Sequence, residues 1–296
     1  MALTSAFVAA VRRQGAIPST YASTDVLLAG DIEIQGVFIP LLEQFRQNYF
    51  VRELTATVDA RGKVPVPARA IGATLRNVQL QLNNTWTSLP CRAMEDWDSL
   101  YTGQPFGYYV DAGSICLLPT GATGTLRIRY TARPGAMVLE TDPSTTKAIT
   151  AVTPGATTTA LTCDFTGAVT NVDIIASGPA HQQKAIGIAL GGAQPNLTAV
   201  NTSLLDGVIV GDAIALAGTT PYVPLPEELF AALVHRTAGV ILRSLGYDDE
   251  AGQQLRVADE VISRATPMLS PRNEGNPERI RGGLRRALNG RGRWTL

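Results

Sequence analysis

The chain has 296 residues, of which 45% are hydrophobic and 17% are charged, and its 25 basic and 25 acidic residues give a formal net charge of zero. This balance permits a buried core and argues against wholesale disorder, and the length is sufficient for two domains. No apolar run reaches the roughly 18–20 residues that a membrane-spanning helix needs, so we expect no membrane partner.

The zero net charge hides an uneven distribution along the chain. Residues 272–296 contain seven arginines and two glutamates, a net charge of +5, and the preceding residues therefore carry a net charge of −5. Lysine occurs only at positions 63, 147 and 184. A basic, lysine-free segment beside an acidic body predicts that the segment binds a surface other than its own.

The three cysteines, Cys91, Cys116 and Cys163, are widely spaced and form no CxxC pair. An odd number at these spacings argues against a disulfide framework and against structural zinc. The sequence predicts buried free thiols in a reducing compartment.

Residues 1–50 are predicted to be helical. The opening MALTSAFVAAVRRQG places its arginines after the apolar stretch, which is the wrong order for a secretory signal and favours a short amphipathic helix. In DIEIQGVFIPLLEQFRQNYF the apolar residues recur at spacings of three and four, which predicts one apolar helical face. Pro40 inside this pattern predicts a kink or a new helix start.

Residues 51–144 are predicted to form a β domain, and residues 145–224 a β-rich insert. Three segments of the β domain alternate apolar and polar residues, VRELTATV, TLRNVQLQL and TLRIRYT, and the turn DAG joining YYV to SICLLP predicts a hairpin. The insert is poor in charge and rich in Thr, Ala, Gly and Val, with short apolar runs between turns. This composition predicts a compact all-β unit, a small barrel or sandwich.

Residues 225–270 are predicted to form an antiparallel pair of helices. Pro226 begins the first helix and Gly246 ends it, Asp248 caps the second helix, and Pro267 and Pro271 are expected to end it. Together the segments predict an α+β fold. Its parts are a helical core (N-terminal helices plus a C-terminal antiparallel helical hairpin), a β-rich domain, a β insert and an extended C-terminal tail, 271–296.

Catalytic and metal-binding patterns are missing from the sequence. It contains no P-loop, dinucleotide-binding, HExxH or GxSxG motif. The two histidines, His181 and His235, fall in different regions, and Glu95, Asp96 and Asp98 lack the glycine turn of a calcium loop. We therefore expect a protein that is not an enzyme and that has no cofactor and no metal site.

The C-terminal tail is the predicted functional site, and it fits three interpretations: a docking segment for a protein, a nucleic-acid arm, or a solvated terminus. Protein docking is favoured because the arginines alternate with aliphatic residues at helical spacing and with a tryptophan, the composition of interface hot spots. The predicted partner-docking residues are Arg279, Ile280, Arg281, Leu284, Arg285, Arg286, Leu288, Arg291, Arg293, Trp294 and Leu296.

Three phrases of the sequence, YFVRELTATVDARGKVPVPAR, VGDAIALAGTTPYVPLPEELFAALVHRTAGVILRSLGYDDEA and LSPRNEGNPERI, resemble the head–tail adaptor (connector) proteins of tailed bacteriophages. The resemblance implies a homo-oligomeric ring, commonly a dodecamer, assembled in the host cytoplasm and located in the virion neck. It also implies that the C-terminal tail docks on the portal protein, that a downstream tail or nozzle protein binds the ring, and that genomic DNA passes through it without sequence-specific binding.

Two other functional classes stay open. The first is a nucleic-acid-binding protein that uses the arginine-rich tail as a phosphate-contacting arm. The second is a carbohydrate-binding or carbohydrate-active tail protein built on the β insert, although Phe165 and Tyr222 give it few aromatic rings for stacking on sugars.

Overall fold

The computed structural model describes residues 2–93, 103–119, 121–154, 159–163, 165, 171–177, 183–191, 196–199 and 207–269. The helices are α1 (Thr4–Gly15), α2 (Ser23–Glu33), α3 (Ile39–Phe45), α4 (Phe230–Ser244) and α5 (Asp248–Leu269), with a π-helical turn at Ile34–Phe38 and a 3-10 turn at Glu227–Leu229. The strands are β1 (Val51–Thr57), β2 (Lys63–Pro65), β3 (Ala70–Leu82), β4 (Thr85–Leu89), β5 (Gly107–Asp111), β6 (Ser114–Leu118), β7 (Thr125–Ala132), β8 (Ala136–Met137), β9 (Thr146–Ala148), β10 (Ala151–Pro154), β11 (Thr159–Thr162), β12 (Asn171–Ile175), β13 (Gln183–Gly191), β14 (Asn196–Ala199), β15 (Ala213–Leu216) and β16 (Thr219–Thr220).

The predicted α+β fold built on a helical core with a C-terminal hairpin is wrong. Within the described residues the fold is β-rich, because sixteen strands form four mainly antiparallel sheets. The β domain and the insert each enclose a hydrophobic cluster of their own, separate from the cluster beneath the helices. Since each β unit buries its own apolar face, neither unit needs the helices as a core. The helical periodicity of single segments correctly indicates helices, but it does not show that they form the core of the whole fold.

The β domain contains a four-stranded sheet in the order β1-β7-β3-β4 and a three-stranded sheet in the order β2-β6-β5. Alternation places Leu126 and Ile128 of β7 on the inner face, where both are fully buried between β1 and β3. The predicted hairpin is confirmed, since β5 and β6 pair around Ala112 and Gly113. Both residues have positive φ angles, 45° and 77°, as a two-residue hairpin turn requires.

The insert folds as a seven-stranded sheet in the order β10-β11-β14-β13-β12-β15-β9. Strand β13 joins its two halves, because its first part pairs with β12 and its last residues, Leu190 and Gly191, pair with β14. The sheet surrounds a cluster that includes the fully buried Leu161, Ile174 and Ile214. The described residues of the insert are therefore all-β, as their composition predicts.

The helices pack together, and α4 contacts α1, α2 and α5. Arg236 of α4 links three helices: its Nε donates to Glu33 of α2 at 2.5 Å, and its Nη1 donates to Asp259 of α5 at 3.2 Å. Glu33 is 9% exposed, so this ion pair is largely shielded from water. The ion pair therefore fixes α2 against α4.

Three local predictions need correction. The N-cap of α5 is Tyr247, not Asp248, because the carbonyl of Tyr247 accepts from the amide of Ala251 at 3.0 Å. Pro267 lies inside α5 and does not end it. It comes in the last turn, where a missing N–H removes a single bond while the buried Leu269 still anchors the helix. Cys91 is exposed, whereas the other two cysteines are buried.

Asp173 of β12 ties the insert to the β domain. Its side chain has no exposure, and it accepts hydrogen bonds from the amides of Gly187 at 2.8 Å and Gly218 at 3.0 Å. It also forms an ion pair with Arg69, which lies between β2 and β3 in the β domain. Arg69 in turn donates to the carbonyl oxygen of Arg133 at 2.8 Å. One buried carboxylate therefore connects three segments of the insert and, through Arg69, the sheet of the β domain.

We expect Asp173→Asn to lower the free energy of unfolding by about 3–5 kcal/mol, because it leaves the shielded Arg69 charge without its partner. Urea unfolding at pH 7 measures the change. The exposed Asp249→Asn is the matched control and should change stability by less than about 0.5 kcal/mol. A loss at Asp173 as small as that of the control would contradict the role of this carboxylate.

Candidate functional site

The predicted docking residues, all within 279–296, lie outside the described residues, and so do His181 and the acidic cluster at 95–98. The described part of the chain ends at Leu269, which is fully buried at the end of α5. The tail is therefore tethered to a fixed point on the helical layer. Its docking role stays a prediction.

His235 of α4 lies at a contact between helices. Its Nδ1 lies 2.7 Å from Oε1 of Gln254 on α5, and Gln254 donates in turn to the carbonyl oxygen of Gln14 at the end of α1. The histidine is half-buried between helices. It therefore links α1, α4 and α5.

A cleft of about 470 Å³ separates the β domain from the insert. Strand β1, the β2–β3 connection and β7 form one wall, and β12, β13 and the turn between β15 and β16 form the other. Most of its lining is apolar, and its polar groups include Arg52, Arg69, Tyr130 and Asp173. The volume lies in the range of small-ligand sites, about 300–1,000 Å³.

The outer face of the four-stranded sheet carries arginines. Glu53 of β1 lies between two of them on β7, with Nε of Arg127 at 3.2 Å and Nε of Arg129 at 2.8 Å from its two oxygens. The guanidinium of Arg127 also stacks over the ring of Trp86 at 4.2 Å from its centroid. A hollow of about 510 Å³ beside Arg129 is lined further by Arg76, whose Nη2 lies 3.6 Å from Glu43.

The outward side of α2 carries two large apolar side chains. Leu28 and Ile32 are 59% and 60% exposed and lie one turn apart. Gly36 has open space where a side chain would stand, and Pro40 is exposed. The one charged residue between Ile32 and Leu42 is Glu33, which points inward to Arg236. An uncharged row of this kind is typical of a contact surface.

A second exposed apolar surface lies at the turn between α4 and α5. Leu245 is 42% exposed and Tyr247 is 54% exposed, and both line a hollow of about 430 Å³ against the end of α1. Glu250 lies at its rim, next to Asp248 and Asp249. The surface therefore combines an aromatic and an aliphatic side chain with carboxylates.

Asp31 is a half-buried carboxylate on α2. Burial raises its pKa to about 7, although the amide of Met137, which donates to its two oxygens at 3.0 and 3.2 Å, lowers the pKa somewhat. A carboxyl group that titrates near neutral pH suits acid–base chemistry. Among the described residues, however, no group of three or more His, Cys, Asp or Glu side chains could hold a metal ion.

Sequence reasoning missed the cleft, because its lining is brought together from distant parts of the chain. Arg52, Tyr130 and Ile186 belong to three strands of two units and form no local motif. The outer sheet face left a weak signal, since Arg127 and Arg129 alternate along β7 and therefore share a face.

No protein-family model matches the chain, and no curated protein matches it at a significant level. Within the described parts of the chain, none of the helices combines the length and the apolar character needed to cross a membrane. Function is therefore inferred from the surfaces themselves.

Asp31 gives a testable pH dependence. Its raised pKa means that the folded state binds the proton more tightly than the unfolded chain does, so stability should fall as the pH rises from about 4 to about 7. Asp31→Asn removes the buried charge and should stabilise the protein by roughly 2–4 kcal/mol at pH 8, with little effect at pH 4. Urea unfolding at both pH values measures this difference.

The exposed Asp25→Asn on the same helix is the control and should behave alike at both pH values. An Asp31→Asn effect of equal size at pH 4 and pH 8 would show that the carboxylate does not titrate in this range.

Proposed function

We propose that the protein is a structural subunit whose copies assemble into a ring and whose C-terminal tail docks on a larger partner. The two exposed apolar side chains of α2, Leu28 and Ile32, are the observation that carries this proposal. In the head–tail adaptors that the sequence resembles, the corresponding partners are the portal protein and a downstream tail or nozzle protein. Genomic DNA would pass through such a ring in the virion neck.

A second copy of the chain is the occupant that we assign to the face of α2. Burying Leu28 and Ile32 contributes roughly 1.5–3 kcal/mol for each side chain, which supports association when the surrounding surface is buried as well. A stable interface buries about 800 Å² on each partner, so the contact must extend beyond these two residues. The exposed Gly36 and Pro40 continue the same uncharged row.

A ring requires a heterologous contact, in which each copy uses two different surfaces. The hollow beside Leu245 and Tyr247 provides a second apolar surface, and its acidic rim differs in charge from the face of α2. We assign it as the surface that receives the face of α2 from the next copy. Closure of the ring then buries both surfaces in every copy.

The tail fits the same assembly. It carries a net charge of +5 and its aliphatic residues Ile280, Leu284 and Leu288 recur at helical spacing, so it combines arginine forks with apolar anchors. Each copy holds its tail at the buried Leu269. Several tails on one ring bind a symmetric partner more tightly than one tail does, because each later contact is intramolecular.

Nucleic-acid binding is the second candidate, and the arginine-bearing outer face of the sheet supports it. Glu53 compensates part of the charge of Arg127 and Arg129, which weakens the case for phosphate contacts there.

A carbohydrate-binding role for the insert depends on aromatic rings that could stack on a sugar, and the structure removes one of the two. Phe165 is 2% exposed and lies in the core of the insert, where its ring cannot stack on a sugar.

We expect Leu28→Asp combined with Ile32→Asp to prevent self-association, because it replaces the two exposed apolar side chains of α2 with charges. Sedimentation velocity over a concentration series measures the oligomer. Val210→Asp is the matched control, since Val210 is 59% exposed and belongs to the insert. A double variant that assembles as the wild type does would exclude α2 from the interface.

We expect deletion of residues 271–296 to weaken binding to purified portal rings by at least about tenfold, because the arginine and apolar anchors are lost together. Co-sedimentation and electron microscopy of the mixture measure the complex. A chain in which the tail arginines are replaced by lysines serves as control, since it keeps the charge and loses the planar forks. Equal portal binding by the truncated and full chains would exclude the docking role.

A further inference from the structure

Arg52 occupies an unusual place for an arginine. It precedes Leu54 by two residues in β1, so it lies on the inner, apolar face of the sheet. Its direct partner on β7 is Tyr130, which is 5% exposed and follows the buried Ile128 on the same face. Arg52 therefore stands where the core of the β domain opens into the cleft.

The guanidinium of Arg52 has no carboxylate partner among the described residues. Its Nη1 donates to the carbonyl oxygen of Val51 at 3.0 Å, while its buried Nε has no acceptor. Burial lowers the pKa of Arg52. Tyr130 and Tyr49 nearby oppose this shift, and the charge of Arg69 adds to it. A shielded cation in this state is destabilising until an anion reaches it.

The other cations of the cleft are already paired. Arg69 forms its ion pair with Asp173, and Nζ of Lys184 lies 2.7 Å from Asp212 and donates to a backbone carbonyl oxygen. Glu53, the carboxylate next to Arg52 in sequence, is held by two arginines on the opposite face of the sheet. Among the described cations that line the cleft, Arg52 is therefore the one without a carboxylate partner.

The walls of the cleft suit a ligand with an apolar body. Leu54, Pro67, Ala185, Ile186 and Ala217 line it around the polar floor. Burial also raises the pKa of Tyr130, so its phenol stays protonated at neutral pH and can donate a hydrogen bond. A guanidinium with a neighbouring phenol is a suitable donor set for an oxyanion.

We infer that this cleft binds a small ligand in which a carboxylate or a phosphate group is joined to an apolar body, with the oxyanion on Arg52 and Tyr130 and the apolar part between β1 and β13. The site stands apart from the faces assigned to assembly, so it does not rest on the proposed ring. It adds a ligand-binding function to the interface between the two β units.

Calorimetric titration of the full chain with two probes tests the site. Benzoate carries a carboxylate on an apolar ring, whereas inorganic phosphate offers the charge alone. We expect benzoate to bind, and Arg52→Gln to weaken it by about tenfold or more through loss of the charge-assisted pair. Arg127→Gln, on the outer face of the same sheet, should bind benzoate within about twofold of the wild type.

A third probe, phenyl phosphate, carries a phosphate group on the same apolar ring and distinguishes the two oxyanions. Tighter binding of benzoate than of phenyl phosphate assigns a carboxylate ligand, and the reverse order assigns a phosphate ester. The inference is overturned if none of the probes binds below about 20 mM, or if Arg52→Gln leaves binding unchanged.

A measurement without a variant covers the case in which Arg52→Gln does not fold. Phenylglyoxal modifies accessible arginines, and peptide mass spectrometry reports the extent at each position. Benzoate should protect Arg52 and leave Arg127 unprotected. Equal modification of Arg52 with and without benzoate would also overturn the inference.

Discussion

The arrangement of the two β units depends on the buried carboxylate of Asp173. Each unit has its own hydrophobic cluster, so apolar burial alone does not dictate how the units face one another. Asp173 adds a directional constraint, because a fully shielded charge must keep both its amide donors and the guanidinium of Arg69. Any relative shift of the units that broke the pair would leave a charge unpaired on each side. The ion pair of Asp173 with Arg69 therefore restricts the orientation of the insert, beside the packing of Ile186 against the cluster of the β domain.

The cleft follows from this constraint. Because Asp173 satisfies Arg69 at the floor, the neighbouring Arg52 on the same apolar face keeps its charge without a carboxylate. A closer approach of the units would bury Arg52 further without a partner, which is unfavourable. The ion pair of Arg69 with Asp173 therefore holds the two units together and leaves a cavity of about 470 Å³ between them.

Local structure could be predicted from the sequence wherever one segment determines it. Alternation identified β1, β3 and β7, and the Asp111–Ser114 hairpin followed from its turn residues. The fold class could not be predicted in this way, since the sheet of the insert depends on pairings such as that of β15 with β9, whose partners lie more than sixty residues apart. The cleft was missed for the same reason, because Arg69 and Asp173 are 104 residues apart. The predicted tail residues lie outside the described part of the chain, so the sequence remains their sole support.

The apolar face of α2 stays exposed because the opposite side of the helix is fixed. A Cβ on Gly30 would lie 2.7 Å from Cε of Met137 and 2.9 Å from the ring of Phe7, so α2 already approaches its neighbours as closely as a glycine allows. The pair between Glu33 and Arg236 then prevents the helix from rotating about its axis, since rotation would separate two shielded charges. Leu28 and Ile32 therefore cannot turn inward within one copy of the chain, and their burial requires a surface supplied from outside it.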